Sequence, residues 1–126
     1  MSDSSEKPSY TGGRNIAMKV PPHEWEKTTA FYRDILGLPV IESMPDGIAT
    51  IAFQFGTNRL WVDRVETLSQ AEIWLEINTE DIPASARHFE EAGVVRRDEI
   101  EPLDFEAFWI SSPAGIIHLV ASEADS

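Results

Sequence analysis

Two stretches of this chain repeat the same order of hydrophobic periods, and no other feature limits its possible folds as strongly. The segment "NIAMKV" (15 to 20) alternates with period two, placing Ile16, Met18 and Val20 on one face and Asn15, Ala17 and Lys19 on the other. The Pro pair of "PPHEWEKTTAFYRDILG" ends that strand. A helix is expected from about Glu24 to Leu36, with Trp25, Thr28, Tyr32 and Ile35 on its inner stripe and Gly37 as its stop. Three short apolar segments come next, "LPVIES", "GIATIAFQF" and "RLWVDRV". The turn sequences "MPDG" and "GTN" separate them, because Pro fixes φ and Gly and Asn tolerate positive φ, so they read as an antiparallel meander.

The second half runs through the same series. "AEIWLEIN" (71 to 78) alternates again. "TEDIPASARHFEEAG" is a helix with Thr79 or Asp81 able to cap it, Pro83 near its first turn, an Ile82, Ala86, Phe89 stripe and Gly93 at its end. "VVRRDEI", "FEAFWISS" and "IIHLVAS" supply three more strands. The fold class expected is α+β: two βαβββ modules, residues 14–66 and 71–122, each with one helix to cover a sheet too small to bury its own apolar side. At 126 residues the modules form a single domain over 14–122, with a flexible polar tail at 1–13 and another at 123–126.

Charge and composition narrow the function. Asp and Glu number 22 against 10 Lys and Arg, a formal net charge of -12, which argues against a nucleic-acid partner. No apolar run approaches the roughly 18 residues of a membrane helix, and the N-terminal segment lacks the apolar core of a signal peptide, so a cytoplasmic setting is expected. The chain has no cysteine, so any metal must be held by His, carboxylate or amide oxygen.

Strand parity then selects candidate site residues. On the fifth predicted strand Ile73, Leu75 and Ile77 suit a helix-covered side, leaving Glu72, Trp74 and Glu76 on the other; on the first, Asn15 and Lys19 fall on that polar side. On the eighth, both faces are apolar apart from His118, and a buried imidazole prefers the side with polar partners, which favours His118 beside the carboxylates. Trp61, Trp74 and Trp109 carry N–H groups that need partners, Trp74 on the parity of Glu72 and Glu76, and Trp61 on that of Asp63. Flat rings with carboxylates among them suit an aromatic or cationic small molecule. His23 and His88 read as surface residues.

The repeat, together with "NIAMKVPPHEWEKTTAFYRDILGLPVIE", "IWLEINTEDIPASARHFEEAGV" and "FWISSPAGIIHLVAS", resembles the vicinal oxygen chelate superfamily, which contains glyoxalase I, extradiol dioxygenases and bleomycin-binding proteins. The resemblance implies a cupped, mostly antiparallel sheet, a homodimer, and a site inside the cup with metal ligands on the first, fourth, fifth and eighth strands. Carried over by position, these fall on Asn15, on Asp63 or Trp61, on Glu72, and on His118 with one residue deleted or Leu119 without a gap.

Two functions are compatible with these residues. In one, a metal-free or weakly metal-binding protein of the bleomycin-resistance type holds its ligand among Asn15, Trp61, Asp63, Trp74, Glu76 and Trp109. In the other, Asn15, Glu72 and His118 hold one divalent ion, Zn, Mn, Fe or Ni, in a lyase or dioxygenase with Glu72 and His118 as catalytic residues. Asn is a poor transition-metal ligand and one imidazole is few for a catalytic site, which favours the first. On that reading His118 is a neutral imidazole bonded to Glu72 or Asn15.

Overall fold

The structure, a computed structural model, describes residues 8–43 and 50–123. It is an α+β fold with a mixed β-sheet and two helices. The chain divides into two compact units, Arg14–Trp74 and Leu75–Ser126 with Met1–Gly13.

Two-residue β1, Thr11–Gly12, belongs to the second of these. The first unit opens with β2, Asn15–Val20, followed by helix α1, Pro22–Ala30. Pro21 is the N-cap residue and Pro22 takes the first helical position, where a missing N–H costs nothing. The strands β3 (Val40–Ser43), β4 (Thr50–Phe55) and β5 (Asn58–Arg64) form the expected meander, and β5 pairs parallel to β2, giving the order β3-β4-β5-β2. The "MPDG" turn lies outside the described residues. Val20, Phe53, Leu60 and Val62 form the buried core, with Trp25, Tyr32 and Leu38 packed on it. Each such side chain contributes about 1.5–3 kcal/mol on burial.

The helix departs from its expected phase. Residues Phe31–Ile35 form a π turn, closed by Leu36 N–H donating to the Phe31 carbonyl at 2.9 Å. The extra residue rotates the remainder of the segment by about 100°. Ile35, expected on the inner stripe, is therefore 74% exposed, and Leu38 packs against the core instead.

In the second unit, β6 (Glu72–Asn78, shared from Leu75 onward), α2 (Ile82–Glu91), β7 (Val95–Arg96), β8 (Ala107–Ser111) and β9 (Ile117–Ala121) repeat the order as β7-β8-β9-β6, again with the last strand parallel to the first. Asp81, one of the two candidate caps, accepts the Ala84 N–H at 3.0 Å, while Thr79 donates its hydroxyl to the Ser9 carbonyl. Ile82, Phe108, Ile110 and Val120 make the core, and Ala86 and Phe89 join it as the α2 stripe requires.

The expected flexible tail is replaced over residues 8–13 by packed structure. Thr11 and Gly12 pair with Asn78 and Ile77, the Tyr10 hydroxyl lies 3.1 Å from Ser85 Oγ, and the Tyr10 ring sits 5.4 Å from that of Phe89. A short polar segment with one aromatic residue carries no period that would reveal this.

Candidate functional site

Residues paired across neighbouring strands point to the same side of a sheet. In the unit Arg14–Trp74 the registers of β5, β2 and β6 therefore build three rows on the face away from α1. The first row is Asp63, Lys19, Glu72; the second is Trp61, Ala17, Trp74; the third is Arg59 and Asn15.

The first row is an ion cluster. Lys19 is 8% exposed, and its ammonium lies 2.8 Å from Asp63 Oδ2 and 4.4 Å from the centre of the Trp74 ring. A cation held this way has lost most of its hydration and depends on the carboxylate and the indole face to replace it. Trp74 in turn donates its N–H to Glu72 Oε1 at 3.1 Å, and Trp61 donates to Asn15 Oδ1 at 2.9 Å. Both indoles are thus fixed by their polar edges, while Ala17 between them is half-buried.

The same register separates two of the candidate metal ligands. Glu72 stands opposite Lys19, four residues along β2 from Asn15, a rise of roughly 13 Å. Both are engaged by indole N–H groups, and the cation among the carboxylates is the lysine ammonium. Among the described residues no group of three or more His, Asp or Glu side chains is arranged to hold a metal. Asn15 and Glu72, separated in this way, do not meet around one divalent ion.

In the second unit His118 is opposite Leu75 and Ile110, and so shares the side of the apolar core residues Ile110 and Val120; Leu119 is opposite Glu76 and Trp109. The preference of an imidazole for polar partners favours His118 on the side of Glu76; the register puts it on the other side, and its Nδ1 lies 3.0 Å from the Ile116 carbonyl. Of the two readings of this strand, the ungapped one, Leu119, faces the way of Glu76. Glu76 is 7% exposed and packs over Gly13, where a Cβ would overlap its side chain. Trp109 is 6% exposed, donates its N–H to the Glu101 carbonyl at 3.0 Å and its backbone N–H to Asp98, and so braces the loop before β8.

The sequence profile of the glyoxalase-like domain matches residues 17–117. The chain belongs to the glyoxalase-like domain family. No curated protein matches it in sequence. Solved structures similar to this glyoxalase-like domain include the Mn(II)-bound glyoxalase from Novosphingobium aromaticivorans (20% identity, TM-score 0.65, covering 92% of this chain and 40% of that one). Methylmalonyl-CoA epimerase from Mycobacterium tuberculosis (14%, 0.63, 93% and 91%) is another. A variant of homoprotocatechuate 2,3-dioxygenase from Brevibacterium fuscum (18%, 0.64, 94% and 34%) is a third. This chain spans 40% of the length of the glyoxalase. At these identities the likeness shows the fold alone, the vicinal oxygen chelate fold that the sequence resembles. No helix among the described residues of this glyoxalase-like domain is long and apolar enough to cross a membrane.

Three residues of this face are not marked as site residues by the sequence. Alternation places Lys19 on the polar side but does not show its burial against Asp63. Ala17 and Arg59 gain meaning only from register, which brings Ala17 between Trp61 and Trp74, and Arg59 beside Asn15.

Proposed function

We propose that this glyoxalase-like domain binds a small, flat aromatic molecule without a metal, its ring lying over Ala17 between Trp61 and Trp74. The observation that carries this reading is the second row: two indoles on the strands either side of a half-buried alanine. Strands flanking β2 are roughly 9.6 Å apart, which leaves each indole at an offset-stacking distance of about 4.5–7 Å from an inserted ring. Hydrogen bonds to Asn15 and Glu72 hold the indoles before the ligand arrives, so less rotamer freedom is lost on binding. Of the two ligand classes expected from the sequence, aromatic is favoured over cationic, because the Lys19 ammonium already lies on the Trp74 ring. The metal-dependent lyase or dioxygenase reading needs Asn15 and Glu72 on one ion, and the register of β2 with β6 speaks against it. The family resemblance supports a homodimer.

Tryptophan fluorescence of the full chain, titrated with neutral and cationic bicyclic aromatics, tests the reading. Saturable quenching by neutral rings, weakened in Trp74→Ala and Trp61→Ala, is expected. A panel without saturable quenching would count against it, as would stoichiometric metal lost in Glu72→Ala.

A further inference from the structure

The three rows have unequal ends. At the Lys19 end the ammonium is answered by Asp63 at 2.8 Å, with Glu72 opposite it on β6. At the other end stands Arg59, whose side chain rises beside Asn15 and on the parity of Trp61. Its Nε is shut off from water and has no hydrogen-bond partner. No carboxylate among the described residues lies within ion-pair distance of it, although Arg33, Arg64, Arg96 and Arg97 each have one. Acidic residues outnumber basic ones 22 to 10 in this chain, so carboxylates are plentiful, yet among the described residues none pairs with this half-buried arginine. A buried donor left without an acceptor is costly, and a guanidinium is shaped to give two parallel N–H bonds to one carboxylate.

We propose that Arg59 is the anion anchor of this face and that the ligand is an aromatic carboxylate. Its ring occupies the Trp61, Ala17, Trp74 row, and its carboxylate takes the terminal N–H groups of the Arg59 guanidinium. Successive rows are roughly 6.6 Å apart along the strands, a span suited to a ring with a carboxyl group directly on it or one carbon removed. The acidic end of the face, Glu72 and Asp63, sets the orientation, because a carboxylate turned that way would meet like charge. The inference rests on the aromatic reading of the Trp row and adds to it the ligand's charge and direction.

Matched probes separate the two. The full chain is titrated with 2-naphthoate, with the neutral 2-naphthamide and with 2-naphthylmethylammonium, following tryptophan fluorescence and heat of binding. The expected order is naphthoate, then amide, then ammonium, with about a tenfold preference for the acid over the amide, the size of one charge-assisted contact. In Arg59→Met the amide should bind as before and the acid preference should vanish; Arg59→Lys should restore part of it. Thermal unfolding of each variant reports whether it is folded, and the acid-to-amide ratio within one variant needs no comparison of fold. Equal binding of acid and amide by the wild-type chain, or a preference that survives Arg59→Met, would overturn the anchor while leaving the aromatic reading in place. Failure of all three probes to bind would overturn both.

Discussion

Lys19 and Glu72 stand directly opposite each other where β2 and β6 pair. The consequence reaches the whole face: once Glu72 is level with Lys19, it is four residues from Asn15, and the Lys19 ammonium is paired with Asp63 in the same row. A sheet face organised in this way has a resident cation at one end, an aromatic row in the middle and Arg59 at the other.

The Lys19 and Asp63 side chains are 10% and 18% exposed, so neither is well solvated. Removing one partner leaves the other's charge in poor solvent, which typically costs about 3 kcal/mol. Asp63→Asn should therefore lower urea-unfolding stability by about 2–3 kcal/mol, the lower part of that range reflecting the contact with Trp74 that persists. The double variant Lys19→Met with Asp63→Asn should lose less than the sum of the two single changes, and additivity would show that the pair is not coupled.

Residues 8–13 are expected to matter for stability as much as a core element does. Tyr10→Phe removes the hydroxyl bonded to Ser85, at a cost of about 1 kcal/mol. Tyr10→Ala also removes the ring packed against Phe89 and should cost about 3 kcal/mol. Chemical denaturation of both variants checks this; two values within error of wild type would mean the segment contributes nothing.

The parts of the fold that are legible in the sequence are those governed by local period. The six predicted strands after α1 and α2, the strand preceding each helix and the α2 stripe come from alternation and helical spacing, and capping chemistry narrows the α2 cap to Thr79 or Asp81, of which Asp81 serves. Parity also finds the polar face that holds Asn15, Trp61, Asp63, Glu72 and Trp74. Parity cannot supply register, since it fixes the side a residue faces but not its neighbour on the next strand. The separation of Asn15 from Glu72 and the meeting of Trp61, Ala17 and Trp74 are of that kind. His118 is misplaced for another reason: with apolar residues on both faces of its strand, alternation carries no signal. The π turn is hidden because helical spacing alone does not show where one residue is added.

Gly13 lies against the Glu76 side chain, and its N–H donates to the Glu76 carbonyl at 2.8 Å. A methyl group there must displace Glu76, so Gly13→Ala should destabilise by about 1–3 kcal/mol. In a Glu76→Ala background the three nearest atoms that the new methyl would meet are gone, and the change should cost clearly less. An identical cost in both backgrounds, measured by thermal unfolding, would place the strain elsewhere.

His118 shares its side of the sheet with Ile110 and Val120 and bonds to the Ile116 carbonyl. His118→Leu exchanges one weak polar contact for apolar area, so stability should change by no more than about 1 kcal/mol. Affinity for 2-naphthoate should be unchanged, because none of the residues argued to hold it belongs to the unit of His118. A large loss of affinity would mean that the imidazole serves the ligand.

Ala17 separates the aromatic reading from a role of the tryptophans in packing alone. It stands in register between Trp61 and Trp74 and is only half-buried, so a larger side chain there would take the place proposed for the ring. Ala17→Leu fills the space where the ligand should lie and leaves both indoles, Lys19 and Arg59 in place. Stability should hold or rise slightly, since the added group covers apolar ring surface at about 25 cal/mol per Å². Binding of naphthoate and naphthamide should fall together, because the ring position is blocked whatever the charge. Reduced quenching with a preserved unfolding midpoint is the expected result; undiminished binding of both probes would show that the ligand does not sit between Trp61 and Trp74.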